Sequence, residues 1–194
     1  MDSRRPLGTP GLRGLPFGAS PVGRRRGNDN FMTINFKDKT LQEYLDQLST
    51  CSPVPGGGSA AALTAALGVG LISMVTNYSI GRKSNTPTIE KRLAKILAQS
   101  EPIRLRLLEL TSLDSEAYLK VTAARSLGKK EQAWAAKEAR AVPLEVCKLC
   151  YKALQLTPYL AQKGNPYLLS DVEVALELLM AAFNGAGVMV RTNS

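Results

Sequence analysis

Apolar positions along this chain recur at helical rather than strand spacing. Thr40-Leu41-Gln42-Glu43 reads as a capping box, followed by Leu41, Tyr44, Leu45 and Leu48 on one face of a helix ending near Ser49. Pro53-Val54-Pro55-Gly56-Gly57-Gly58 then breaks the period, and Ser59 can cap the next helix. From Ala60 to Val75 the residues are almost all small and apolar. That run falls short of the roughly 20 residues a bilayer span requires, and alanine and glycine dominate it. It predicts a core helix enclosed by protein on all sides, with Ala62, Ala66 and Gly70 forming a seam for close approach. The neighbouring helices are expected to supply the larger side chains.

Thr86-Pro87 restarts helical structure with a cap and a proline at the first position. The period continues through Leu93, Ile96, Leu97, Ile103, Leu107, Leu108 and Leu110, with a kink or break expected at Pro102 and an end at Gly128. Glu131 to Leu156 is a further helical stretch containing Pro143. Ser170-Asp171-Val172-Glu173 has the form of a second capping box, opening a last helix through Val174, Leu178, Leu179 and Phe183. No segment alternates with period two. The expectation is an all-α fold, a helical bundle of five to six helices around a small-residue central helix.

Residues 1–31 stand apart. Glycine, proline and arginine dominate them, no apolar period persists, and no signal-type apolar stretch follows the charges. We read them as a leader outside the fold, with residues 32–194 as the domain. Six arginines against two aspartates give the leader +4 of the chain's +9, leaving a modest +5 for the domain. With 6% aromatic residues and no basic stripe, nucleic acid is a weak expectation as a partner; small anionic ligands suit the balance as well. No bilayer span is expected.

The chain has no histidine. This removes every Ser-His or Cys-His nucleophile pair, leaving acid–base work to Asp, Glu, Lys, Tyr, Cys or water. Cys147 and Cys150 form a Cys-x-x-Cys on a helical stretch without a second pair, which reads as two core-facing thiols in a reducing, cytoplasmic setting.

Several features carry two readings each. The glycine run before a helix start is a tight loop or a ligand cradle of open amides. Arg82 and Lys83 complement a helix C-terminus or hold an anion. Asn165 is a turn residue or a polar contact, and Asp171 a first-turn carboxylate or a ligand group. Asp114, within an apolar helical stretch, is a cap or a partly buried base.

Taken in order, Pro55-Gly56-Gly57-Gly58-Ser59-Ala60-Ala61-Ala62, Met74-Val75, Gly81-Arg82-Lys83, Asp114-x-x-Ala117-Tyr118, Val142-Pro143-Leu144 and Gly164-Asn165 with Ser170-Asp171-x-x-Val174-Ala175 resemble the formiminotetrahydrofolate cyclodeaminase/methenyltetrahydrofolate cyclohydrolase family. The likeness spans about residues 40–193. It departs at Ser84-Asn85-Thr86, where relatives continue with lysine and tyrosine, and at Val188-Met189-Val190, where an asparagine is common before the valine. The chain is also expected to stop short of the family's last helix.

The resemblance implies an all-α, commonly homodimeric enzyme acting on a tetrahydrofolate derivative, with no metal and no cofactor beyond that substrate. One reaction closes an N5-formimino group onto N10 and expels ammonia; the other hydrates the methenyl bridge. It also implies Asp114 as the catalytic proton-transfer residue. Gly56, Gly57, Gly58 and Ser59 become the ligand-facing loop, Arg82 and Lys83 partners for the substrate's carboxylates, and Asn165 and Asp171 a second polar cluster. The rival expectation is a non-catalytic helical binding protein, of folate type or RNA-associated.

Overall fold

The computed structural model describes residues 34–193; the expectation for residues 1–31 lies outside them. Among the described residues there are six α-helices and two 3-10 turns, and no strand. They are α1 (Leu41–Leu48), α2 (Gly57–Ser79), α3 (Pro87–Ala124), α4 (Lys129–Leu154), α5 (Thr157–Lys163) and α6 (Leu169–Thr192). The turns are Phe36–Asp38 and Pro166–Leu168. The all-α bundle expected from periodicity is therefore what forms.

Helix α2 runs through the middle, packed mainly against α3 and α6. Its partners divide the work unequally. From α3 come the large core side chains Leu93, Ile96, Leu107 and Leu110, all fully buried. From α6 come mostly small ones: Val172, Ala175, Ala182 and Ala186 face inward together with Leu179, while Val174 and Phe183 are exposed. Of the bulky residues named for this helix, Leu179 is fully buried as expected, whereas Val174 and Phe183 lie off the inward face. The cause is a close approach of α6 to α2, since a Cβ on Gly68 would stand 3.0 Å from Leu179 Cγ and 3.1 Å from the Ala175 carbonyl.

Two expectations for α2 are corrected. Ala62 and Ala66 of the expected seam are buried, but Gly70 faces a more open surface beside Arg104, and the close approach to α6 falls at Ala61 and Gly68. Nor is α2 enclosed on all sides. Leu63, Leu67, Gly70, Leu71 and Met74 line an open apolar groove of about 520 Å³, and Leu67 is 54% exposed, because no helix of the bundle lies over that face. At 23 residues α2 also exceeds the run read from its composition. It and Pro166–Thr192 are each long and apolar enough to cross a membrane by length and composition. In α2, 61% of that apolar window is buried inside the bundle, as in the core helix of a globular domain.

Helix α1 has the expected capping box: the Thr40 hydroxyl accepts from the Glu43 N–H, and the Glu43 carboxylate accepts from the Thr40 N–H at 2.7 Å. Of its apolar face only Tyr44 is fully buried; Leu41 and Leu45 stay exposed. Helix α3 continues through Pro102 without a break. A hydrogen bond between Ser73 and Ser100 (2.9 Å) ties it to α2 just before the proline, and Arg104 pairs with Glu101 just after it. Arg106 grips Glu145 through two nitrogens at 2.8 and 3.0 Å, joining α3 to α4. Pro143 likewise sits inside an unbroken α4.

Helix α6 is not opened by a Ser170 box. It begins at Leu169 directly out of the Pro166–Leu168 turn, whose cap is the Asn165 side chain accepting from the Tyr167 N–H. Ser170 already lies within the helix.

Candidate active site

Loop 49–56 delivers the chain to α2 under tight local control. The Val54 carbonyl accepts from Gln47 Nε2 (3.0 Å) and from the Ser52 hydroxyl (2.7 Å), and Val54 and Pro55 are buried, joined by a cis peptide. Gly56 is the N-cap of α2, with no side-chain cap. Ser59 therefore does not cap the helix. It lies in the first turn, fully buried, with its hydroxyl 3.0 Å from the Tyr44 hydroxyl and its N–H donating to the Asp114 carboxylate.

The three glycines have different reasons. A Cβ on Gly58 would overlap the Asp114 carboxylate, so the bare α-carbon is what lets α3 place its acid against α2. On Gly57 a Cβ would meet Met189 Sδ at an ordinary 3.5 Å, and on Gly56 it would meet nothing within 4 Å. These two keep backbone open towards the cavity.

Burial raises the Asp114 pKa above the ordinary carboxylate value, against the lowering effect of the Ser59 N–H. Tyr44 is 4% exposed and packs edge-on against Phe36, with ring centroids 5.3 Å apart. Burial raises its pKa too; the Ser59 hydrogen bond lowers it and the Asp114 charge adds to the rise. Phe36 is itself pinned, its N–H donating to the Ser112 hydroxyl at 2.9 Å.

In front of Asp114 lies a cavity of about 540 Å³, within the roughly 300–1,000 Å³ typical of small-molecule sites. Pro53, Gly56 and Gly57 form one side, α3 contributes Asp114, Tyr118, Val121 and Arg125, and α4 contributes Ala136 and Ala139. The end of α6 contributes Met189, Thr192 and Asn193, with Asn193 Nδ2 donating to the Ala139 carbonyl at 3.2 Å.

The structure thus brings Gly56, Gly57, Gly58, Ser59 and Asp114 together. It does not bring Arg82, Lys83, Asn165 or Asp171 to them. Arg82 Nη1 donates to the Gly164 carbonyl at 2.9 Å, and the Asn165 N–H donates to the Ser79 hydroxyl at 2.8 Å. Both contacts lie at the C-terminal end of α2, on the order of 33 Å along the helix from Gly57. Lys83 is exposed just beyond that end, and Asp171 occupies the first turn of α6, which runs antiparallel to α2. Within one chain Arg82 and Asn165 thus sit together at the end of α2 opposite the cavity, away from Asp114.

Reading residues singly missed Tyr44, Val121, Arg125 and Met189. A signal existed for the α3 members: with Tyr118, Val121 and Arg125 lie four, seven and eleven residues after Asp114, one face of a helix. Cys147 and Cys150 are core residues as expected; burial pushes the Cys150 thiol up to about 12.

An all-helical bundle presenting one partly buried acid and an open helix start to a cavity is built as a small-molecule enzyme. Comparison with known proteins gives that class a family. The family model described as formiminotransferase-cyclodeaminase matches residues 40–194. The methenyltetrahydrofolate cyclohydrolase of Methylorubrum extorquens is 35% identical over 167 residues, 81% of this chain and 80% of its own length. The formimidoyltransferase-cyclodeaminase of Rattus norvegicus is 29% identical over 80% of this chain, which spans only 30% of that longer protein. Among solved structures, the formiminotetrahydrofolate cyclodeaminase of Thermotoga maritima superposes with a TM-score of 0.78 at 31% identity, covering 81% of this chain and 79% of its own. The chain belongs to the formiminotransferase-cyclodeaminase family.

Proposed function

We propose that this protein is a folate one-carbon enzyme, a cyclodeaminase or cyclohydrolase acting on tetrahydrofolate substituted at N5 and N10, with Asp114 moving the proton. The observation that carries the reading is the placement of Asp114: at the cavity wall, beside the Ser59 N–H and over the bare Gly58, with its pKa raised by burial.

Both reactions pass through a tetrahedral carbon between two nitrogens. In cyclodeamination N10 attacks the formimino carbon, and a proton must reach the departing nitrogen as its bond to carbon breaks. In hydration, water attacks the methenyl carbon, loses a proton, and the carbon–N5 bond breaks as N5 is protonated. A carboxyl group whose pKa burial raises above the ordinary carboxylate value is suited to accept and return that proton. The open amides at the start of α2 face the same cavity and suit the donor–acceptor edge of a pterin. Neither reaction changes an oxidation state, so the reading requires no redox cofactor.

The test is the ultraviolet absorbance of 5,10-methenyltetrahydrofolate with and without protein, beside ammonia release from 5-formiminotetrahydrofolate. Failure of both reactions would sink the proposal.

The proposal extends to a homodimer covering the open face of α2. Leu63, Leu67, Leu71 and Met74 repeat along that face, with Leu108 and Leu178 at its margins, an apolar strip suited to a second copy related by a two-fold axis. A cytoplasmic location, where Cys147 and Cys150 remain reduced, completes the reading; recovery of the native protein outside the cytoplasmic fraction would count against it.

A further inference from the structure

Among the described residues lining the cavity, Asp114 is the one acid and Arg125 the one base. They stand eleven residues apart on α3, or three turns to within about 20° of rotation, so both point into the same cavity roughly 16 Å apart along the axis. Between them on that face lie the Tyr118 ring and Val121, and opposite are the small side chains Ala136 and Ala139 of α4. The cavity therefore has an order: acid, aromatic-walled apolar slot, cation. Because Cα–Cβ bonds tilt towards a helix N-terminus, the Arg125 side chain leans back along the slot towards Tyr118.

Arg125 is also well placed to spend its charge on a ligand. It is the C-cap of α3, and Gln132 Nε2 holds the turn by donating to the Arg125 carbonyl at 3.3 Å and the Leu127 carbonyl at 2.9 Å. Among the described residues no carboxylate pairs with its guanidinium. The basic residue assigned to carboxylates from motif order, Arg82, instead donates to the Gly164 carbonyl at the far end of α2.

We propose that Arg125 recognises the carboxylate tail of the substrate and so fixes its direction along α3. This rests on the folate reading above. With the reacting bridge at Asp114, the aminobenzoyl ring occupies the slot beside Tyr118 and Val121, and the amide carries its glutamate towards Arg125. An extended ring and amide span on the order of 10 Å, which the arginine's own length completes. A planar guanidinium takes a carboxylate through two parallel hydrogen bonds, so the group is matched in shape as well as charge.

The experiment compares kcat/KM for 5,10-methenyltetrahydrofolate and for the same compound with its glutamate replaced by methylamine, the N-methylamide of 5,10-methenyltetrahydropteroic acid, which carries no carboxylate. Parent protein is expected to prefer the glutamate-bearing substrate by about 10- to 100-fold. Arg125→Gln should bring that preference close to unity, chiefly through KM, and Arg125→Lys should keep part of it. Arg125 is exposed at a helix end, so neither change threatens folding. A preference unchanged in Arg125→Gln overturns the inference while the folate reading stands. A preference lost in Arg82→Gln but kept in Arg125→Gln overturns it equally. Parent protein that turns over neither compound, nor 5-formiminotetrahydrofolate, removes the folate reading itself.

Discussion

The Tyr44 hydroxyl lies 3.0 Å from the Ser59 hydroxyl, and Ser59 is the residue whose N–H holds the Asp114 carboxylate. A short helix that contributes little to the core is thereby joined to the acid through one buried contact. Tyr44→Phe keeps the ring against Phe36 but strands the Ser59 hydroxyl. We expect a loss of about 1 kcal/mol, lowering Tm by roughly 2–4 °C. An unchanged melting curve would show that the contact is not formed in solution.

Gly58 and Gly68 separate activity from stability. Alanine at 58 pushes against the Asp114 carboxylate, and a displacement near 1 Å can cost on the order of 100-fold in rate. Alanine at 68 pushes against the Leu179 side chain and the Ala175 carbonyl, with an expected cost of about 1–3 kcal/mol. Gly58→Ala should lose turnover more than melting temperature, and Gly68→Ala the reverse. Paired kinetic and thermal measurements check both.

Asp114→Asn should lower turnover by about 100- to 10,000-fold. Its stability effect has a definite sign. The folded-state pKa is raised, so the folded protein holds the proton more tightly than the unfolded chain, and stability falls as pH rises from the unfolded value through the folded one. The neutral amide escapes that penalty. The variant should therefore melt no lower than the parent at neutral pH, and its advantage should shrink as pH falls through the folded pKa. Denaturant melts across pH 4–8 test this; an advantage growing towards acid would refute the assignment of burial as the cause.

Leu67→Glu places a charge at the centre of the exposed face of α2. Sedimentation should show a homodimer for the parent and a monomer for the variant, with helical content retained. A monomeric parent would reject the pairing.

Much of the architecture follows from local rules, and the misreadings share a cause. The Thr40 box forms because its two partners lie three residues apart and nothing else competes for them. Ser59 has the right composition for a cap, yet Tyr44 takes its hydroxyl and Asp114 its N–H, contacts across long sequence separations. Ser170 fails as a cap because the preceding turn, itself capped by the Asn165 side chain, already feeds α6 and leaves Ser170 inside the helix. The exposure of Phe183 beside buried alanines follows from how near α6 comes to Gly68, a distance no single-helix pattern carries. Motif order singled out Asp114 and the glycine loop, which meet at the cavity, while Arg82 and Asn165, singled out in the same way, fold to the opposite end of α2.

The uninterrupted course of α3 from Pro87 to Ala124 makes that helix a ruler. Deleting or adding one residue between Asp114 and Arg125 turns one of them about 100° out of the cavity, while a seven-residue insertion brings it back to within about 20° at the cost of some 10 Å of length. Lineages that accept longer or shorter ligands in such a bundle should therefore change the α3–α4 turn or the α6 terminus freely, and alter this stretch of α3 only by whole heptads.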